Sequence, residues 1–332
     1  MTKAFRVCAL ISASLAAGPA AASPAPKVDE VKPKQIVLIS FDGAHDLAQW
    51  QRSRNLAART GARFTYFLSC VFLLSRETRG EYLAPGKSPG RSNVGFAQSK
   101  QEVVDRLEQI NLAAAEGHDI ASHGCGHFDG GKWSKADWTK EFDAFSHIMR
   151  DTYKINGISP EPSNWAHIAA SVKGFRAPYL SENKALTSVL LDKGFAYNAS
   201  GVSRGPEAPK PDRGMMEFAL PQIAEGPSER RIIAMDYNLY VRHSGGVEKP
   251  GEAPIYEKRA YDAFKAAFDK QFDGSRIPLQ VGFHFTLMND GAYWRALERF
   301  AGEVCVKSDV ECISYADYVA RHNTIAPVQT GG

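Results

Sequence analysis

Apolar residues in this chain fall into short unbroken runs separated by longer stretches with helical spacing. Gln35-Ile36-Val37-Leu38-Ile39-Ser40-Phe41 is one such run, and Arg63-Phe64-Thr65-Tyr66-Phe67-Leu68-Ser69 is another. Runs without polar alternation predict strands covered on both faces. Residues 47–60 predict a helix between them. Residues 100–116 read as an amphipathic helix closed by Gly117, with a buried strand following to Ser122. Ser134-Lys135-Ala136-Asp137 predicts a capping box opening a helix whose apolar side is Trp138, Phe142, Phe145 and Ile148. Further strands are predicted at 174–179, 195–197, 231–235, 279–285 and 310–314, and further helices at 184–193, 256–272 and 293–304. Residues 80–99 and 201–231 read as loops. Strands and helices alternate about seven times, the signature of a parallel α/β arrangement.

The first 22 residues stand apart. Lys3 and Arg6 precede an apolar stretch from Val7 to Ala17, and Ala20-Ala21-Ala22 offers a cleavage site. This is the pattern of a secretory signal peptide, too short to span a bilayer. Cys8 leaves with it, residues 23–34 form a Pro/Lys-rich leader, and one domain is expected over 35–325. No later run is long and apolar enough for a transmembrane helix, so the expected product is exported, periplasmic or secreted.

The 40 basic and 37 acidic residues nearly balance, which argues against a nucleic-acid partner. Four cysteines remain after the leader, an even number for an exported chain. Cys305 and Cys312 close a short loop and form the local pair. Cys70 and Cys125 would then tie two strand ends. The competing reading makes Cys125 a metal thiolate, or leaves both as free thiols.

Single polar residues stand at the downstream ends of the predicted strands: Asp42, His123, His127, Arg176, Asp236 and His284. In a barrel they converge on one face. His123 and His127 lie four positions apart with small residues between them, a spacing at which two imidazoles can hold one divalent metal. Each has a plainer alternative. Asp42 suits a helix N-cap, Arg176 a structural ion pair, and His284, between Phe283 and Phe285, a core histidine. Trp133 is a candidate sugar-stacking platform, whereas Trp138 and Trp294 lie in helical patterns and read as core.

In that order, these residues resemble the polysaccharide deacetylases of carbohydrate esterase family 4. Ser40-Phe41-Asp42-Gly43 matches the family's T-F-D-D strand end. His123 to His127 matches H-[S/T]-x-x-H, with Gly124 in the hydroxyl position. Arg176-Ala177-Pro178-Tyr179 matches R-x-P-Y, and Gly282-Phe283-His284 matches the closing L-x-H. The resemblance spans roughly residues 36–320, and residues 308–318 look like the ending of the chitin-deacetylase-like branch. It implies a distorted (β/α) barrel with seven to eight parallel strands. The implied activity is metal-dependent hydrolysis of N-acetyl, sometimes O-acetyl, groups on chitin oligomers, peptidoglycan or another acetylated polysaccharide.

The resemblance also implies roles. His123 and His127 hold a divalent metal, zinc by expectation; Asp42 is the general base and His284 the general acid. Arg176 orients Asp42, the backbone N–H of Tyr179 helps hold the oxyanion, and Asp236 is the candidate partner that tunes His284. The chain departs from the pattern at Gly43, where the family's metal-binding aspartate belongs. Asp42 could turn to the metal, Asp46 or His45 could reach back, or water could fill the gap. The alternative function is a catalytically weak or inactive glycan-binding protein on the same barrel.

Overall fold

The computed structural model describes residues 1, 2, 4 and 32–323. The chain divides into two compact units, Met1–Lys32 and Pro33–Gly332, and the elements below belong to the second. Apart from residues 1, 2 and 4, the expected signal segment lies outside the described residues, as do Cys8 and the leader up to residue 31.

The chain enters β1 (Gln35–Gly43), then α1 (Leu47–Thr60), β2 (Thr65–Leu68), α2 (Lys100–Ala115), β3 (Asp119–Ser122) and α3 (Lys135–Ile155). It continues through α4 (Trp165–Ser171), β4 (Gly174–Phe175), α5 (Lys184–Asp192), β5 (Tyr197–Ser203), β6 (Lys210–Asp212), β7 (Met215–Glu225) and β8 (Arg230–Ile233). The last elements are α6 (Asp236–Ser244), α7 (Ala253–Asp273), β9 (Leu279–His284), α8 (Met288–Val304), β10 (Val310–Cys312) and α9 (Tyr315–Asn323).

Strands β9, β1, β2, β3, β4, β5 and β7 pair in that order, every pair parallel. The sheet curls until its ends meet: Met235 bridges Gly282, and the Gly282 N–H donates to Ala234 O at 2.9 Å. The result is a distorted (β/α) barrel, to which β6 and β8 add antiparallel pairings on β7. Period-two geometry explains the unbroken apolar runs. Val37, Ile39 and Phe41 of β1 pack outward with Trp50 of α1 and Trp294 of α8, while Leu38 packs inward with Phe67, Ala121, Tyr197 and Tyr315. Ser40 and Asp42 share the inward parity of Leu38, so β1 delivers a hydroxyl and a carboxylate toward the barrel interior.

The capping box at Ser134 and Asp137 forms, and Trp138, Phe142, Phe145 and Ile148 are buried. Both cysteine pairs are disulfides, Cys70–Cys125 and Cys305–Cys312; Cys125 is therefore not a metal thiolate. The region 201–231 is not a loop. It carries the end of β5, all of β6 and the eleven-residue β7. Pro221 lies within β7, although proline cannot donate to a ladder. It sits where β7 passes from pairing with β5 to pairing with β8: Pro221 is opposite Ser203, the last β5 partner, and Gln222 opposite Ile233 is the first pair with β8. The strand expected at 231–235 stops at Ile233 and runs antiparallel, and α6 begins at Asp236. Residues 80–99 are no free surface excursion either, because Tyr82, Ala84 and Ala97 are fully buried.

Cys70 and Cys125 are separated by 55 positions in the sequence. Replacing both cysteines by alanine is expected to lower stability by about 2–4 kcal/mol, the range for bridges that constrain the unfolded chain. Denaturant midpoints would read this, and an unchanged midpoint would show that the surrounding hydrogen bonds suffice.

Candidate active site

The barrel brings the C-terminal ends of its strands together. Asp42 on β1 lies beside His284 on β9 in register, and Ser122 on β3 pairs with Phe175 on β4, so His123 and Arg176 emerge side by side. Arg176 is completely buried. Its Nη1 donates to Asp42 Oδ1 at 2.8 Å and to Ser40 Oγ at 2.8 Å, its Nη2 to Tyr315 Oη at 2.9 Å, and its Nε to Ala199 O at 3.0 Å. The guanidinium also lies over the Phe67 ring, 4.3 Å from its centroid. Burial opposes charge on both partners. It is the largest influence on Asp42, but the opposing charge of Arg176 first, then that of His284, and the Arg176 hydrogen bond outweigh it, so the carboxyl sits below its ordinary value. Arg176 is likewise held above its own against the effect of burial, chiefly by Asp42.

His123 Nδ1 is 2.8 Å from Arg176 O. A carbonyl only accepts, so Nδ1 carries the hydrogen and Nε2 presents a lone pair. Burial lowers this imidazole to about 3, which keeps it neutral. The His127 ring lies 5.0 Å away and is also lowered, mainly by burial. His127 has φ +54°, a region that costs a non-glycine residue about 1–2 kcal/mol. The turn between the histidines is tied at every step. Gly124 N donates to Ser122 Oγ, Cys70 N to Gly124 O, Cys125 N to Glu141 Oε1, Gly126 N to Tyr82 Oη and Asn93 N to Gly126 O, all between 2.7 and 3.2 Å. Asn93 Nδ2 donates to His127 O at 3.0 Å.

Asp236, at the start of α6, is completely buried, and its Oδ1 lies 2.6 Å from His284 Nδ1 while its Oδ2 accepts from His284 N at 2.8 Å. The carboxylate makes Nδ1 the donor. Burial works against the imidazolium, but the charge and hydrogen bond of Asp236 prevail, and His284 is raised above its ordinary value. Asp42, His123, His127 and His284 line one cleft of about 670 Å³ with Tyr179 and Tyr237 on its walls. Tyr179 has φ +58° and packs edge-on against His127 at 4.8 Å.

Asp46 and His45, the residues expected to reach back toward a metal, make other contacts. Asp46 Oδ1 accepts from Gln49 N at 2.9 Å as the N-cap of α1, the role considered for Asp42. His45 gives its backbone carbonyl to Arg106 and stacks on Phe72. Trp133 does not line the cleft; it packs edge-on against Trp138. Glu141, Tyr82, Asn93 and Tyr315 were not foreseen as parts of the site. A signal existed for Glu141, a lone carboxylate on the apolar side of α3 between Trp138 and Phe145.

His123 offers a lone pair and His127 stands beside it, chemistry that suits two of a metal's ligands. Among the described residues no group of three His, Cys, Asp or Glu side chains is arranged to hold a metal ion. Asp42 is the carboxylate in the same cleft, with Oδ1 committed to Arg176. Gly43 has φ +82° with nothing within 4 Å of an added Cβ, so an aspartate there would have space but a strained backbone. The two imidazoles are donors of the kind a divalent ion takes, and among the described residues no third ligand is arranged with them.

Removing Arg176 leaves Asp42 charged and unpaired inside the barrel. Arg176→Met is expected to cost about 3–5 kcal/mol, as breaking buried ion pairs does, measured by chemical unfolding. A loss below about 1 kcal/mol, the worth of an exposed pair, would mean that the pair is relieved by solvent.

No model of a known protein family matches this chain, and no curated protein does. Solved structures do. One is a protein from Mycobacterium smegmatis assigned as a polysaccharide deacetylase, at TM-score 0.53 and 16% identity over 92% of this chain and 96% of that one. Another, from Pseudomonas aeruginosa PAO1 and assigned likewise, gives TM-score 0.50 and 15% identity over 89% and 93%. The chain has the fold of the polysaccharide deacetylases.

Proposed function

We propose that this protein belongs to carbohydrate esterase family 4 and removes N-acetyl, or O-acetyl, groups from an acetylated polysaccharide such as chitin oligomers, peptidoglycan or another cell-wall glycan. The observation that carries the reading is the opposed pair at the head of the cleft. Asp42 is held below its ordinary value and His284 above its own, on neighbouring strands beside the histidine pair. Carboxylate and imidazole pushed apart in this way divide the labour of base and acid.

In this reading His123 and His127 hold a divalent ion, zinc by preference, and Asp42 stands next to it. Such an ion, when bound, polarises the acetyl carbonyl and lowers the pKa of water. Asp42 takes the proton of the water that adds to the carbonyl carbon. Because Arg176 lowers its pKa, it is a weaker base than a free aspartate, but it stands deprotonated at a set place before the water arrives. His284, protonated and aligned by Asp236, gives its proton to the nitrogen as the carbon–nitrogen bond breaks, leaving acetate and a free amine. The backbone N–H of Tyr179 is assigned to the oxyanion.

Export is part of the same proposal, with residues 1–22 as the signal and 35–325 as the catalytic domain. Two disulfides suit an oxidising compartment, and among the described residues no helix is long and apolar enough to cross a membrane. A second reading, a glycan-binding protein without turnover, is favoured by one observation, the missing carboxylate at Gly43.

Acetate release from a panel of acetylated glycans, with and without chelator and added metals, separates the two. The enzyme reading expects release that chelation and His123→Ala abolish. Glycan binding that survives chelation, with no acetate from any substrate, supports the second.

The pH profile gives an independent check. The acid form of His284 is fully present below its ordinary 6.5 and is lost as pH rises through its elevated value. The charge on Asp42 is present above its ordinary 3.8 and is lost as pH falls through its lowered value. Activity is therefore expected to plateau between these limits, with an alkaline limb above 6.5. Asp236→Asn should move that limb to lower pH, and NMR titration of His284 should follow it. A limb that stays in place in this variant would remove His284 from the role of acid.

A further inference from the structure

We propose that Glu141 is a positioning residue that sets the turn between His123 and His127, acting from α3 through its own carboxylate and the Tyr82 hydroxyl. The inference rests on the reading of the two histidines as metal ligands.

Glu141 is 2% exposed, on the helix face that otherwise carries Trp138, Phe142 and Phe145. An apolar side chain is the default there. Burial raises its carboxyl above the ordinary range, and among the described residues no basic side chain pairs with it. Its hydrogen bonds instead go to the turn and to the residue that supports the turn. Oε1 accepts from Cys125 N at 2.7 Å, and Oε2 accepts from the Tyr82 hydroxyl at 2.8 Å. The Tyr82 oxygen in turn accepts from Gly126 N at 3.1 Å. Two consecutive backbone N–H groups of the turn thus depend on one buried carboxylate, directly or through one hydroxyl.

The local sequence fits this arrangement. In the H-[S/T]-x-x-H pattern the residue after the first histidine carries a hydroxyl, and Gly124 has none. Gly124 has φ +67°, and a Cβ there would lie 3.1 Å from Glu141 Oε1. The carboxylate occupies the space beside the glycine. His127 follows directly with its own positive φ, a conformation that persists only where its surroundings over-determine it. A buried carboxylate without a cation is a poor way to stabilise a fold, but it is an effective way to fix two N–H groups and the direction of the imidazole after them.

The test is zinc affinity, measured by competition with a chromophoric chelator on the full chain. Amide hydrogen exchange at Cys125 and Gly126 and thermal unfolding are followed in parallel. Glu141→Leu is expected to weaken zinc binding about 10–100-fold, the range for residues that orient metal ligands from behind, with faster exchange at both amides. Glu141→Gln keeps an acceptor for Cys125 N and is expected to recover most of the loss. Tyr82→Phe removes only the hydroxyl and is expected to give a smaller loss centred on Gly126. A folded Glu141→Leu that binds zinc like the wild type overturns the proposal. If that variant does not fold, wild-type affinity in Tyr82→Phe overturns it instead. A wild-type protein with no zinc affinity sinks the metal reading and this inference with it, whereas tight wild-type binding with insensitive variants sinks this inference alone.

Discussion

The ion pair between Arg176 and Asp42 is the constraint around which the barrel's upper end is organised. A guanidinium with no solvent exposure needs its donors matched, and Asp42, Ser40, Tyr315 and Ala199 supply the partners. Those residues come from β1, from β5 and from the start of α9, so one side chain ties the first strand to the last helix. Its backbone carbonyl receives the His123 ring hydrogen. The same residue therefore fixes the charge of Asp42 and the tautomer of His123. A buried pair of this kind is weak evidence for stability. Its value lies in specifying an arrangement, because the partners of its donors come from three separate elements.

From that centre the site divides into two halves with different electrostatics. On the β1–β9 side, Asp236 sustains the imidazolium of His284. On the β3–β4 side, burial keeps His123 neutral. Three histidines in one cleft thereby differ in burial and in their second contacts: a carboxylate behind one, a carbonyl behind another, an aromatic edge beside the third. This separation depends on the strand register, which sets Asp42 opposite His284 and Ser122 opposite Phe175.

The sequence made the parallel strands legible because they are buried on both faces and read as continuous apolar runs. It made Asp42, His123, Arg176, Asp236 and His284 legible because each is a polar residue interrupting such a run or following it. The hairpin of β7 and β8 was hidden by Pro221 and by charged residues on its open side, which look like loop composition. Glu141 was hidden because a single carboxylate in an amphipathic helix is ordinarily assigned to the solvent face. The role of Asp46 could not be read from spacing, since an N-cap and a nearby metal ligand call for the same residue type at nearly the same place. Trp133 failed as a platform for a tertiary reason, its contact with Trp138.

Gly43 is the point at which these lines meet. Its backbone conformation is one that an aspartate adopts only with strain, so the strand end has turned in a way that is consistent with having no side chain there. The surrounding apparatus does not depend on that side chain. Arg176 and Asp42 are bonded to each other, Asp236 and His284 to each other, and the histidine turn to Glu141, Tyr82 and Asn93. Every group assigned to moving a proton is held by protein contacts. Under the proposed function, what Gly43 alters is confined to the number of ligands offered to a metal. In the proposed metal reading, two imidazoles with an adjacent carboxylate already engaged by arginine would make a more open coordination site than two imidazoles with a free carboxylate, leaving more positions for water or substrate oxygen.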